Sequence, residues 1–219
     1  MTAMILAAGL GTRMRPLTNH TPKPLLEVGG KPLIVWHIER LKDAGFRDIV
    51  INVAYLGQKI IDYLGDGSQY GVNIQFSDEQ DEGALETAGG IVKALPLLSD
   101  TFLVINGDVW TDFFYDSSFI MEDNILAHLI LVDNPPHNPK GDFPLDISDN
   151  RYTFSGIGYY SKAMFTDLEY GKQPLAPLLF EALDNMQLTT EYYVGGWYDI
   201  GTPQRLDSLN IELSKIDKR

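Results

Sequence analysis

The chain has 219 residues, 44% hydrophobic and 21% charged, with 30 acidic against 17 basic side chains and a net charge of −13. That size supports one domain with a substantial core, and that charge disfavours nucleic acid and anionic membranes as partners. The absence of cysteine excludes disulfides and thiolate metal sites; no apolar run approaches the roughly twenty residues of a membrane span, and Met1–Leu10 lacks a basic leader, so cytoplasmic residence is expected.

Ala3–Ala7 reads as a buried strand that ends in a glycine turn. Pro32–Ala44 reads as a helix: proline stands in its first turn, Gly45 follows its end, and Leu33, Trp36, Leu41 and Ala44 share a face. The pattern then predicts a strand over Asp48–Ala54, a short helix over Gly57–Leu64, a strand over Val72–Phe76, a helix over Thr87–Leu98 and a strand over Thr101–Ile105. Asn124–Val132 is another strand, and Asp133–Asn150, with four prolines, reads mostly as loop. Arg151–Tyr160 is strand-like, Ser161–Glu169 and Leu175–Met186 look helical, Tyr192–Val194 and Trp197–Asp199 read as short strands, and Pro203–Lys215 is a closing helix. Alternation at this pitch predicts an α/β fold, a three-layer sandwich with a mostly parallel central sheet flanked by helices. No linker or internal repeat divides the chain, so a single domain over residues 1–219 is expected.

The densest chemistry lies before residue 32. Gly9-x-Gly11-x-Arg13-x-Arg15-Pro16-Leu17-Thr18 is followed by Lys23-Pro24-Leu25, and residues 1–31 set Arg13, Arg15, Lys23 and Lys31 against one acid, Glu27. A glycine turn lets backbone N–H groups approach anionic oxygens, which arginine and lysine neutralise, so this island suits a polyphosphate. Met14 stands where a dinucleotide fingerprint needs its third glycine, which counts against a nicotinamide-dependent oxidoreductase, and no G-K-[ST] follows for a P-loop.

Open α/β sheets bind ligands at the carboxyl ends of their strands, and two aspartates follow apolar segments there: Asp108 in Asn106-Gly107-Asp108, and Asp199 in Trp197-Tyr198-Asp199-Ile200-Gly201-Thr202. Taken alone, Asp108 fits a turn as well as a metal ligand, and Asp199 fits a cap of the last helix. The histidines His20, His37, His128 and His137 form no metal pattern and read as surface or core.

The long string Gly9–Thr18 with Lys23-Pro24-Leu25, N-G-D and W-x-D-x-G-T resembles the signature of the sugar-nucleotide pyrophosphorylases. These nucleotidyltransferases join a nucleoside triphosphate to a sugar 1-phosphate. The resemblance covers essentially the whole chain and implies the Rossmann-like nucleotide-diphospho-sugar transferase fold, with a nucleotide-binding part over about 1–108 and a sugar-binding part over about 109–219. It implies that Asp108 and Asp199 hold Mg²⁺, that Lys23 meets the α-phosphate, and that Arg13 with the Gly11 and Thr12 amides meets the β- and γ-phosphates. Surface solvation is as good a reading for Arg15 and Lys31. The Ala8 and Gly9 backbone would meet the base. The hexapeptide-repeat tail that some relatives carry is absent, and a monomer is expected.

In the base-side loop the family's glycine is replaced: Leu85-Glu86-Thr87-Ala88-Gly89 stands where L-G-T-A-G is usual. A carboxylate at Glu86 can accept from a base imide N–H, which uracil or thymine offers at N3 and guanine at N1. Glu79 or Gln80 takes the place of the family's loop glutamine, and Thr87 adjoins it. The L-E-T-A-G-G stretch, the Val104–Asp112 segment and Gly141-Asp142-Phe143 closely resemble one subgroup. Its members transfer uridylyl from UTP to N-acetylmuramate 1-phosphate in bacterial cell-wall recycling. The sugar side would then involve Asn106, Asp142, Ser155 and Gly156, beside the short Leu145–Arg151 stretch. Mannose-1-phosphate guanylyltransferase is the runner-up, and a catalytically silent nucleotide-sugar-binding protein the alternative from another class; Arg13, Lys23, Asp108 and Asp199 all being present argues for an enzyme.

Overall fold

A computed structural model of the chain describes residues 1–145 and 150–216; residues 146–149 of the Leu145–Arg151 stretch lie outside the described residues. Strand β1 (Thr2–Leu6) is the centre of the molecule, and Ala3, Met4 and Ile5 have no exposed surface. Continuous burial of this kind marks a strand covered on both faces, which a parallel sheet with helices above and below supplies.

Two small strands follow, β2 (Glu27–Val28) and β3 (Lys31–Pro32), paired as a hairpin. Then come α1 (Leu33–Asp43), β4 (Asp48–Val53), α2 (Gly57–Leu64), β5 (Asn73–Asp78), α3 (Glu86–Ala94), β6 (Thr101–Asn106), β7 (Val109–Thr111) and β8 (Ala127–Val132). The remainder is β9 (Phe143–Pro144), β10 (Arg151–Ser161), α4 (Ala176–Asp184), β11 (Leu188–Tyr192), β12 (Trp197–Asp199) and α5 (Pro203–Ile216). The main sheet runs β11-β8-β10-β6-β1-β4-β5, with β9 paired to β10 alongside. All its neighbours along that order pair in parallel except β10, which is antiparallel to both β6 and β8. The expected α/β sandwich with a mostly parallel sheet is the observed fold.

One face of the sheet buries Ile34, Ile38 and Leu41 of α1 with Ile60 and Leu64 of α2; the other buries Ile91 and Ala94 of α3 with Leu179 and Ala182 of α4. A third cluster joins Met14, Trp110 and Ile200 to Leu206, Leu209 and Leu213 of α5. Met14, which denies the sequence a dinucleotide fingerprint, therefore pins the N-terminal loop to the last helix. Each such fully buried aliphatic side chain contributes on the order of 1.5–3 kcal/mol. No helix among the described residues is long and apolar enough to cross a membrane.

The short strands β2, β3, β7 and β9 are not among the expected elements, and three expected elements differ markedly from their observed form. Ser161–Glu169 is not an α-helix; only Lys162–Phe165 forms a 3₁₀ turn, started by the Ser161 hydroxyl accepting from Ala163 N. The strand expected at Tyr192–Val194 lies earlier, at Leu188–Tyr192, where parallel pairing to β8 fixes it. The strand over Asn124–Val132 begins only at Ala127, because the Ile125 N–H closes a turn on Glu122 O.

Candidate active site

Beyond Leu6 the chain leaves the sheet and curls through Ala7–Gly11 into a 3₁₀ turn over Thr12–Met14. Thr18 Oγ1 donates to Gly11 O at 2.7 Å and Met14 N to the same oxygen at 2.9 Å, so the loop is fixed by its own backbone. Ala7 N donates to Asn52 Oδ1 at 2.8 Å, Asn52 Nδ2 donates to Glu79 Oε1 at 2.8 Å, and Leu85 N donates to Glu79 Oε2 at 2.8 Å. Glu79 is fully buried with both oxygens occupied. It ties the ends of β1 and β4 to the start of α3, and such a satisfied buried network holds one arrangement of its loops.

A cavity of about 420 Å³ opens over this frame. Ala8, Gly9, Gly11 and Thr12 give it backbone, and Arg13 and Lys23 give it positive charge. Arg13 is exposed and, among the described residues, pairs with no carboxylate. Lys31 lies elsewhere: it pairs with Glu39 and stacks on Trp36 at 3.7 Å. Glu86 and Thr87 form the opposite lip. Glu86 has φ +62°, a left-handed conformation that costs a residue with a Cβ roughly 1–2 kcal/mol. Glycine is the ordinary occupant of such a position, and here a carboxylate stands in the mouth of the cavity.

The acidic side of the cavity comes from the β6–β7 turn. Gly107 N donates to Leu6 O at 2.9 Å, and a Cβ there would lie 2.4 Å from that oxygen, so only glycine lets β1 and the turn approach this closely. Asp108 follows, and Lys23 Nζ donates to its Oδ2 at 2.7 Å. Strand β7 pairs antiparallel with β12, with Val109 opposite Asp199, and Ile200 N donates to Asp108 O at 2.9 Å. This ladder sets the Asp108 backbone beside β12, and Asp108 lines the cavity together with Gly201, two residues after Asp199. Asp199 Oδ2 accepts from Arg205 Nη1 at 2.8 Å, and His137 Nε2 lies 3.1 Å from the same oxygen. No group of three or more His, Cys, Asp or Glu that could hold a metal occurs among the described residues, and Asp108 is paired with Lys23 and Asp199 with Arg205 and His137. A divalent cation on the two carboxylates would replace those partners and complete its shell with water and phosphate oxygens.

A second cavity of about 580 Å³ adjoins the first along Leu6, Glu86, Thr87 and Asn106. Asp142 and Gly156 line it, as does Asn106. Gly156 has φ +81° at the register shift of β10, and a Cβ there would lie 2.5 Å from Asn106 Nδ2; the glycine makes room for that amide. Asp142 Oδ1 accepts from Asn138 Nδ2 at 3.0 Å and Oδ2 from Phe154 N at 2.9 Å, so this carboxylate shapes the wall. Ser155 lines neither cavity: it is buried in β10, with its hydroxyl accepting from Ile157 N at 3.2 Å and its carbonyl from Trp197 Nε1 at 2.9 Å. Sequence reasoning missed His137 and Arg205. Arg205 stands on the first turn of α5, six residues after Asp199 of β12, and its nearness in sequence is the only signal; His137 reaches Asp199 only through the fold.

A family model described as "Nucleotidyl transferase" matches residues 2–143. The chain belongs to the nucleotidyltransferase family. It is 54% identical to an N-acetylmuramate alpha-1-phosphate uridylyltransferase of Neisseria meningitidis serogroup B, across 94% of this chain and 95% of that protein. It is 32% identical to a UTP--glucose-1-phosphate uridylyltransferase of a Synechocystis species, across its whole length but only 60% of the relative. In three dimensions it superposes on a Bacillus anthracis crystal structure assigned as a glucose-1-phosphate thymidylyltransferase, in complex with sucrose. The TM-score is 0.85 at 23% identity, covering 97% of this chain and 95% of that one. At that identity the superposition speaks for the fold. The parallel sheet with its ligand cleft at the strand ends is the family's architecture, and the matched segment contains the glycine loop, Lys23, Glu86 and Asp108.

Proposed function

We propose that this nucleotidyltransferase moves a uridylyl group from UTP to N-acetylmuramate 1-phosphate, giving UDP-N-acetylmuramate and pyrophosphate, as the reaction serves cell-wall recycling. What supports the chemistry is the cavity that gathers Asp108, Arg13, Lys23 and the glycine-loop backbone, beside the β7–β12 ladder that carries Asp199. The choice of UTP and of the sugar is supported by the likeness to the Neisseria protein over nearly the whole of both chains.

In this reading Ala8 and Gly9 offer backbone atoms to the uracil edge, and Glu86 accepts from its N3–H, with Thr87 beside it. Arg13 and the amides of Gly11 and Thr12 hold the β- and γ-phosphates. Asp108 and Asp199 would hold Mg²⁺, which supplies charge neutralisation between the α-phosphate and the sugar phosphate. The acceptor's phosphate is already an anion near neutral pH, so no general base is required. Its oxygen forms a bond to the α-phosphorus as the bond to the β-phosphate oxygen breaks, and pyrophosphate leaves with the electron pair. Lys23 carries charge to the α-phosphate after exchanging its carboxylate partner for a phosphate oxygen. The chain's contribution is positioning and preorganised charge, the two terms that dominate phosphoryl transfer.

The test is a pyrophosphate-release assay of purified protein with Mg²⁺, across the four nucleoside triphosphates and a panel of sugar 1-phosphates. UTP with N-acetylmuramate 1-phosphate should be the best pair. Faster turnover of GTP with mannose 1-phosphate would replace this reading with a guanylyltransferase, and binding without turnover of any pair would leave a silent nucleotide-sugar binder.

A further inference from the structure

The second cavity carries information about the acceptor that the reaction chemistry does not use. Its aromatic lining is Phe143, Phe154, Tyr160 and Phe180: Phe143 stacks on Phe180 at 5.1 Å and 23°, and meets Phe154 edge-on at 6.3 Å and 85°. Leu175 and Leu179 line it as well. Its charged lining groups are Glu86 and Asp142; no lysine, arginine or histidine lines it. Phe180 stands on α4, lines the cavity and keeps 42% of its surface exposed, so a ligand in the cavity can reach it.

A hexose bearing only hydroxyls can lay a C–H face on one ring, but filling a lobe walled by Phe143, Phe154, Phe180, Leu175 and Leu179 would set its hydroxyls against apolar side chains. A carboxylate driven into this space would lose its water beside two acids, with no cation to meet it. A neutral acyl group satisfies both conditions, since its methyl buries against rings while its amide reaches the polar rim at Asn106 and Thr87. We propose that this apolar lobe seats the acetamido methyl of an N-acylated amino sugar 1-phosphate, and that Phe180 is a specificity-determining residue for that group. The lactyl carboxylate of N-acetylmuramate then stays outside the lobe. The assignment rests on the uridylyltransferase reading above and specifies which part of the acceptor is recognised.

The experiment measures kcat/KM with UTP and four acceptors: the 1-phosphates of N-acetylmuramate, N-acetylglucosamine, glucosamine and glucose. The two N-acetylated sugars should exceed glucosamine and glucose by about tenfold or more, the scale at which a pocket discriminates one small apolar group. Phe180→Ala should shrink that ratio to about threefold. Equal use of glucose and N-acetylglucosamine 1-phosphates, with N-acetylmuramate 1-phosphate still turned over, would overturn the lobe assignment and leave the uridylyltransferase reading standing. No UTP-dependent turnover of any acceptor would sink that reading instead, so a binding measurement is run in parallel. Saturation-transfer NMR of N-acetylglucosamine 1-phosphate with the unsubstituted chain should saturate the acetyl methyl most strongly, and less so with Phe180→Ala. Strongest saturation on the ring hydrogens, unchanged by the substitution, would overturn the lobe assignment whatever the turnover.

Discussion

The two cavities share a wall and are built in opposite ways. The first takes its lining largely from two short runs, Leu6–Met14 and Asn106–Asp108, and presents backbone and cations. The second gathers side chains from β6, β9, β10 and α4, and presents rings. A phosphate chain is recognised by amides and fixed charge, which a loop of a few residues supplies by itself. A sugar substituent is recognised by whatever side chains tertiary packing delivers to one place. The phosphate contacts are thus held by local sequence, whereas Asp199 and the sugar-side rings reach their places through distant contacts.

Asp108→Asn is the strongest test of that division. Removing one charge from the pair of carboxylates should lower kcat about 10³-fold, roughly 4 kcal/mol in the barrier, at saturating Mg²⁺. The ratio between acceptors should stay put, because Asp108 does not line the second cavity. Pyrophosphate release across the acceptor panel measures both quantities at once. A wild-type rate would remove Asp108 from the chemistry, and a changed acceptor ratio would erase the boundary between the cavities.

The first region also depends on a buried base. His37 lies within α1, which packs against β7, and its Nδ1 is 3.2 Å from the Tyr115 hydroxyl. Burial pushes its pKa down from 6.5 to about 4, so the folded chain keeps it neutral where the unfolded chain protonates it. The unfolded state therefore binds the extra proton between those two values, and the His37 contribution is present above pH 6.5 and is lost as pH falls toward 4. The loss is on the order of 3 kcal/mol. Urea unfolding at pH 7 and pH 4.5 should show that fall, and His37→Gln should flatten it; an equally steep fall in His37→Gln would assign the effect to other groups.

Arg13→Ala should raise the apparent KM for UTP by about ten- to thirtyfold, roughly 1.5–2 kcal/mol, the scale of a charge-assisted contact. The KM for the sugar 1-phosphate should move less than threefold. Equal shifts in both constants, from initial rates over a two-substrate grid, would mean that the loop arginine serves the whole cleft and not the triphosphate side alone.

How much of this was legible in the sequence follows the same division. The periodic apolar pattern predicts α1 and α2 to within a residue, and Trp197–Asp199 with its bounds, because local spacing specifies them. The glycine loop, Lys23 and Asp108 are legible for the same reason. Strand β7 is not: three residues carry no strand signal without β12 opposite them. Ser155 reads as a sugar contact by its place in β10, yet the pleat and the Trp197 contact turn it inward. The ring cluster of Phe143, Phe154 and Phe180 joins residues too far apart in the chain for any local window to contain its logic. His137 meets Asp199 by a loop excursion that proline content marks as loop and nothing more.

The smallest expected effect sits on the shared wall, where the two modes of construction meet. Glu86 holds a left-handed backbone that a glycine would adopt freely, so Glu86→Gly relieves conformational strain while removing a carboxylate from the cleft. Strain relief is offset by the extra entropy of an unfolded glycine, leaving a net gain of about 0.5–1 kcal/mol in urea unfolding. Preference for UTP over CTP should fall about tenfold, because cytosine offers no imide N–H for the carboxylate to accept and that penalty disappears with it. The two readouts have opposite signs: a position that costs stability and confers base selection improves one as it loses the other. A variant that gains stability and keeps its full preference for UTP would show that the backbone of Ala8 and Gly9 reads the base alone, and would place Glu86 on the sugar side of the wall.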